Sequence, residues 1–504
     1  MEAVPVNLPP ALTDSEQVLR RALGASEDII FQRYSLKADG RPALLAFVEG
    51  MIDRVSLENQ VVEVMASTDP SGGLPPRLSD LGRLLVHLSS HTEERTAELA
   101  AEAVFRGHAV LLVDGYPGAL ILGVQGWEDR PVQSAPSETG LRGPRDGFVE
   151  NIVTNISLIR RRLNDPNLVV RYWRVGARSK TRVAVLHMAD ITRERLVSEI
   201  AQRVAAIEFD GIFDALQVRE LLTGQSYTPF PKMEGTERPD MVAMALLGGK
   251  VAVLVDNSPF VLTAPTTLGD TFWSADDYYT VPAVTALVRL FRFFGAFATT
   301  FLSPLYIGIM MFNPGLVRTD LAIYFARERA GIPLTPALEV VFLETMMEIL
   351  HEATVRLPTK VGSAATVVGG LIIGQAAVEA RLVSGIVVIV AAISAIGSFT
   401  IPGQEMGQVW RATKWVLIVA ATTFGVYGVF AASWVLFSWL ASQDSFGTPY
   451  MAPLAPLIPK DLAGDSFVRA PWGTLRWREK TLRTKNKART SAPQARKYRD
   501  GGER

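Results

Sequence analysis

The chain has 504 residues, 48% hydrophobic and 20% charged, with 51 Lys+Arg balancing 51 Asp+Glu. Such a length exceeds one ordinary domain of ~100–200 residues. The absence of cysteine excludes disulfides, thiolate zinc sites, iron–sulfur clusters and thiol nucleophiles. The zero net charge conceals an asymmetry, because residues 1–280 are mixed and charged, the long uncharged runs fall within 293–443, and Lys460–Arg504 carries thirteen Lys/Arg against five Asp/Glu.

In chain order, the first residues show no basic stretch followed by an apolar one, so the N-terminal half is expected to stay on the side where it is made. The head reads as α+β. Ile29–Leu36 with Ala43–Gly50, and Ala109–Val113 with Ala119–Val124, have the apolar content and turn punctuation of strand pairs, while Leu57–Met65, Leu78–Ser89 and Glu93–Arg106 read as helices. A polar Ser/Pro/Gly segment at 133–145 marks a boundary. The pattern then recurs: a basic-ended helix over Asp146–Leu163, strand pairs Leu168–Val175 with Thr181–Met188 and Val251–Val255 with Phe260–Thr263, and helices Thr192–Ala206 and Ile212–Leu222 between them. The strings around Asp114-Gly115-Tyr116-Pro117 and Asp256-Asn257-Ser258-Pro259 echo each other. The expected organisation is therefore a first α+β subdomain at 1–132, a linker at 133–145 and a second, related subdomain at 146–280.

An all-α transmembrane bundle is expected at 281–445, with a basic cytoplasmic tail at 446–504. Phe293–Val317, Val361–Val378, Leu382–Gln404 and Trp415–Gln443 are uncharged and approach or exceed the ~20 residues that cross a bilayer. Arg289 and Arg292 before the first run and the basic tail after the last place both ends on the cytoplasmic side, hence an even number of spans, about four. The segment 334–356 carries Glu344, Glu348 and Glu352 every fourth residue, one acidic stripe on a helix. It reads either as an amphipathic interfacial helix or as the wall of a wet, cation-attracting vestibule. Val361–Val378 is rich in small residues, and Gly370 with Gly374 forms a GxxxG pair suited to close helix packing. On the same helix Val367, Leu371 and Gln375 recur every fourth residue and form a candidate pore-lining stripe: two apolar residues for a dewetting constriction and one polar step.

Catalytic signal is sparse, and no enzyme activity, cofactor, metal or nucleic acid is expected. Gly176–Thr181 lacks the Gly before Lys180 that a phosphate loop needs, and it joins two strands rather than a strand to a helix. His87 and His91 sit four apart on a predicted helix without a third ligand. Arg160-Arg161-Arg162 ends a predicted helix, where positive charge complements the dipole.

Several strings, taken together, carry a resemblance. They are Gly143-Pro144-Arg145-Asp146-Gly147-Phe148-Val149-Glu150, Val175-Gly176-Ala177-Arg178-Ser179-Lys180-Thr181, Thr236-Glu237-Arg238-Pro239-Asp240, Val255-Asp256-Asn257-Ser258-Pro259-Phe260 and Asp276-Asp277-Tyr278-Tyr279 in the head. Ile373–Ala380, Ser398–Pro402 and Phe446–Leu454 follow. The chain resembles the A subunit of bacterial spore germinant receptors. The resemblance implies the inner membrane of a dormant spore, a transporter-like B subunit and a lipoprotein C subunit as partners, and a homo-oligomer forming a nutrient-gated channel for monovalent cations. Two other readings stand beside it: a non-conducting scaffold that assembles the receptor, and a secondary transporter, which four spans leave little room to build.

Overall fold

A computed structural model describes the chain apart from residues 1–5, 38, 68–74, 76, 86–90, 127–137, 139–141, 225–227, 357–358, 467–468 and 490–504. The side chains of 84, 85, 355, 359–368, 404, 463 and 466 also lie outside the description. An N-terminal α/β region is followed by helices.

Among the described residues the head contains two five-stranded sheets. The first is built from β1 (Ile29–Ser35), β2 (Pro42–Val48), β3 (His91–Glu94), β4 (Ala109–Val113) and β5 (Ala119–Leu122), in the order β1-β2-β4-β5-β3. The second is built from β6 (Leu168–Val175), β7 (Thr181–Met188), β8 (Glu234–Thr236), β9 (Val251–Val255) and β10 (Val261–Ala264), in the order β6-β7-β9-β10-β8. Their connectivity is the same, and every pairing is antiparallel.

Central strands such as Ala-Leu-Leu-Ala-Phe of β2 are apolar on both faces because helices cover both. Against the first sheet, α1 (Leu12–Leu23) and α3 (Ala97–Phe105) build one core, and α2 (Leu78–Leu85) with the helical run 54–67 builds the other. Against the second, α4 (Ile152–Arg160) and α7 (Pro239–Gly248) cover one face. The other is covered by α5 (Glu194–Ala205) and α6 (Ala215–Thr223). The repeat extends to single hydrogen bonds. The turn carboxylate of Asp114 accepts the N–H of Leu12 at the start of α1 (2.9 Å), and Asp256 accepts that of Ile152 at the start of α4 (3.2 Å).

Sequence expectations change in the head: Glu93 and Glu94 belong to β3, and the helix expected from Glu93 begins at Ala97. His91 lies on β3 rather than on a helix, while His87 is outside the described residues. Arg160 stands in the last turn of α4, where the dipole reading put it, but it does more. It is fully buried and reaches across to the first subdomain, donating to Asp28 through two nitrogens at 2.8 and 2.9 Å and to Ser26 Oγ at 2.9 Å. Together with the Arg182–Glu49 pair at 3.0 Å it binds the two sheets to each other.

The helical region comprises α8 (Pro282–Phe312), α9 (Thr319–Glu328), α10 (Pro336–Arg356), α11 (Thr359–Glu379), α12 (Gly385–Phe399) and α13 (Gln404–Ser442). By length and composition, Pro282–Phe312 and the run Glu405–Ser442, taken end to end, are the two helical segments among the described residues long and apolar enough to cross a membrane. Contacts along α8 fix the direction of its neighbours. Gly295, nearest the head, crosses α12 so closely that an added Cβ would stand 2.9 Å from the Gly397 carbonyl oxygen. Further along, Thr299 and Ser394 exchange hydroxyl–carbonyl hydrogen bonds of 3.0 and 3.1 Å, and Ser303 donates to Glu344 of α10 at 2.6 Å. At the far end, Gly308 and Phe312 meet Val426 and Gly425 of α13.

The run Trp415–Gln443, read from sequence as one span, is two antiparallel helices. Gly425 has φ 64° and ψ −148°, outside any helix. A Cβ on Gly428 would lie 2.2 Å from the carbonyl oxygen of Ala420, eight residues earlier, whereas eight residues of helix span ~12 Å. Trp410 and Trp439 both pack on Phe230 of the head, with ring centroids 5.5 and 6.2 Å away. A continuous helix would hold them ~43 Å apart. Both ends of α13 are therefore at the head, and the turn at Gly425 is remote from it. Among the described residues, six helical segments run alternately away from and toward the head: α8, α10, α11, α12 and the two arms of α13.

The segment 334–356 is corrected as well. It is not a peripheral amphipathic helix, because Glu339 and Glu344 are 0% and 2% exposed inside the helical region. Beyond Ser442, the chain returns to the head. The described residues between 444 and 489 are folded against it, and 490–504 lie outside the described residues.

Candidate functional site at the neck

Polar groups concentrate where the head meets the first and last helices. Arg289, on α8, is fully buried. Its Nε donates to Asp277 at 3.0 Å, and its Nη1 donates to the Asp465 backbone carbonyl at 2.6 Å and to the Asp465 carboxylate at 3.2 Å. Arg292, one turn on, donates to the same Asp277 oxygen at 2.8 Å and to the Phe272 carbonyl at 3.0 Å. Tyr278 closes the ring by donating to Asp465 at 3.0 Å, and Arg469 donates to the Tyr278 carbonyl at 3.2 Å. Burial pushes the Asp465 carboxyl up, and the adjacent Arg289 holds it down only in part. Charges taken from water at this density hold only when each is paired and hydrogen-bonded.

The same acidic-aromatic segment reaches back into the second subdomain. Tyr279 donates to Asp240 at 2.8 Å, and Asp240 also accepts from Arg238 at 3.1 and 2.9 Å. Arg238 in turn donates to the Pro144 carbonyl at 3.2 Å. Gly143, at φ +91°, lies against the Tyr279 ring, where a Cβ would come within 2.5 Å of it. Three strings that stand apart in sequence, around Gly143–Phe148, Thr236–Asp240 and Asp276–Tyr279, thus form one polar node.

The returning segment completes the neck. Ser445 donates to the Lys232 carbonyl at 2.7 Å and accepts from Thr266 N–H at 3.1 Å, while Leu268 N–H donates to the Tyr450 carbonyl at 2.7 Å. Phe446 enters the α5–α6 core beneath Arg203. Beside it, Lys250 pairs with Asp270 at 2.9 Å. Burial alone would lower Lys250, but Asp270 and Glu234 more than offset it and raise it. Burial pushes both Glu234 and Glu479 up to about 8, with Lys250 opposing. A cleft of ≈ 940 Å³ opens between α6 and the start of α13, where Arg219 grips Glu405 at 2.7 and 2.9 Å.

The comparisons with known proteins apply to this framework. The family described as Bacillus/Clostridium GerA spore germination protein matches residues 17–481, from α1 through the neck to the returning segment. The chain belongs to the GerA spore germination protein family. It is 32% identical over 491 residues to spore germination protein KA of Bacillus subtilis (strain 168), covering 97% of this chain and 90% of that one. Spore germination protein A1 of the same organism is 37% identical over 376 residues, 75% and 78% of the two chains. Spore germination protein GerLA of Bacillus cereus is 31% identical over 479 residues, 95% and 96% of the two. The crystal structure of the N-terminal domain of the A subunit of the Bacillus megaterium spore germinant receptor GerK3 aligns with 52% of this chain and 97% of its own, at 25% identity and a TM-score of 0.42.

In this GerA protein the residues singled out for ion passage fall in two places. On α11, Leu371 and Gln375 are exposed, while the side chain of Val367 is outside the described residues. The glycines face inward: positions added at Gly369 and Gly370 would contact Leu350 of α10, and one at Gly374 would contact Val388 of α12. On α10 the carboxylates are met by cations. Glu339 pairs with Arg329 at 3.1 Å and accepts the N–H of Ser384 at 2.8 Å. Glu344 is paired with Lys414 of α13, Glu348 with Arg411 at 3.4 Å, and the exposed Glu352 with Arg356 at 2.6 Å. Lys414 is 3% exposed and also approaches Ser394 at 3.4 Å. Glu339, Glu344 and Glu348 thus lie along seams with Arg329 and α13, while Glu352 is paired within its own helix. Sequence spacing could not reveal this, because Lys414 and Arg411 stand more than sixty residues downstream of their partners.

Proposed function

We propose that this chain is the A subunit of a nutrient germinant receptor, a multi-pass protein of the spore inner membrane. It assembles with further copies of itself and with a transporter-like B subunit and a lipoprotein C subunit, and opens a path for monovalent cations that starts germination. Family membership across 17–481 carries the germination role. Relatives named as germination proteins over almost their whole length support the receptor assignment.

The channel part rests on one observation: α11 turns its glycines toward α10 and α12 and leaves Leu371 and Gln375 uncovered in the single chain. That face is available to neighbouring copies, and an apolar residue one turn from a polar one suits a dewetting gate. The docking of 444–489 on the head supports head and returning segment on one side of the bilayer, the spore core. Six passes satisfy the even number this requires.

The test is ion flux through the purified chain in liposomes. A channel gives cation flux with the chain alone or with its B and C partners. Val367→Ala and Leu371→Ala then leak at normal assembly levels. A chain that assembles with its partners yet never changes flux is the scaffold. For sidedness, single cysteines at Lys180 and Lys487 should label from the same face of the membrane; labelling from opposite faces removes the shared-side arrangement.

A further inference from the structure

We infer that α9, Thr319–Glu328, lies in the surface of the lipid bilayer on the side remote from the head, with the boundary between headgroups and acyl chains as its partner. The inference rests on reading α8 and α10–α13 as a membrane bundle. The helix has ten residues, and none of them is buried. Its main packing is on the turn Pro314–Leu316 that precedes it. Isolated helices shorter than ~12–15 residues are marginal in water, so a further covering surface would stabilise it.

Its position selects the lipid boundary. It begins seven residues past Phe312, which touches the reversal at Gly425, at the end of α8 away from the neck. Just past its other end, Arg329 is tied to Glu339 of α10. Ten residues of helix are ~15 Å long, about half of a hydrocarbon core, so it cannot cross. Leu321 and Phe325 stand four apart on one face. The exposed side chains of Phe312 and Leu316 continue that apolar surface from the end of α8. Asp320, Tyr324 and Arg327 share another side, with the exposed Ile323 next to Arg327 and Glu328 at the edge of the Leu321 face; Tyr324 is an aromatic residue of the kind enriched at headgroup level. A second copy of the chain covering α9 is the competing arrangement.

The absence of cysteine makes the test clean. Single cysteines at Leu321, at Arg327, and at the control positions Val419 on α13 and Lys180 in the head are labelled with an environment-sensitive fluorophore. The full chain is reconstituted in phosphatidylcholine vesicles at low protein density. Nitroxides placed near the headgroup or deep in the acyl chains report lipid, and iodide reports water. The expected result is several-fold stronger quenching of Leu321 by the shallow nitroxide than by the deep one, with Arg327 quenched mainly by iodide and Lys180 by iodide alone. Phe325→Cys serves as a second apolar-face site if Leu321→Cys misfolds. If Val419 is quenched by lipid but the apolar-face sites respond only to iodide, or to neither quencher, the inference is overturned. The latter pattern indicates a protein cover. If Val419 itself is not reached by lipid, the membrane reading fails and takes this inference with it.

Discussion

Replacing Arg160 by Met leaves Asp28 charged at 0% exposure, with its guanidinium partner gone. Breaking a buried pair from one side costs ~3–5 kcal/mol. Thermal unfolding of the detergent-solubilised chain should fall accordingly, and adding Asp28→Asn should restore most of the loss; an Arg160→Met protein as stable as the parent would refute the interlock. The run Arg160–Arg162 was visible in sequence, but its partner lies 132 residues upstream, so no local rule assigns it. His187 supplies a pH handle. Burial lowers it from 6.5 to about 4, and Arg171 adds to the effect. Below pH 6.5 the unfolded chain then binds a proton the folded head does not, so stability rises with pH between about 4 and 6.5 and is flat outside that window. The span of the effect is ~3 kcal/mol. Chemical denaturation at pH 4.5 and 7 checks it, and His187→Gln should flatten that part of the profile.

Among elements, those with periodicity were legible and those defined by distant partners were not. Strands such as Val251–Val255 are apolar runs bounded by turn residues and lie where the pattern put them. The edge strands β3, His-Thr-Glu-Glu, and β8, Glu-Gly-Thr, carry neither β-branched runs nor alternation, and they are strands because a neighbour's edge is free to pair. Glu344 and Glu348 of α10 read as part of a stripe facing water because the lysine and arginine that meet them belong to α13. The reversal at Gly425 is invisible to hydropathy, which measures how apolar a run is and not its direction. Spin labels on cysteines at Gln408 and Ser442 should therefore report a separation well under the ~51 Å of a continuous helix; a distance near that value rules out the hairpin. Gly425→Val places a side chain at positive φ against Phe312 and should lower the yield of folded protein in detergent.

For the whole molecule, the neck joins residues 176 positions apart, so the helical region is a loop clasped at its base. Asp465→Asn should loosen the returning segment and speed its cleavage by protease, leaving the two sheets of the head intact; unchanged cleavage would show that the clasp is held elsewhere. Glu234 and Glu479 act on the same junction. Their folded carboxyls are raised, so the protonated form is favoured and the stabilisation it brings declines as pH rises from the ordinary carboxylate range to about 8. The clasp also has a consequence for biosynthesis. Arg289 follows its first counter-ion, Asp277, by twelve residues, but its second, Asp465, is made only after every helix between them has been produced. A chain that stops short of that residue presents an under-neutralised arginine at the foot of its first helix. Completeness is thereby recorded in the chemistry of one side chain, and a truncated product differs from a finished one before any partner is encountered.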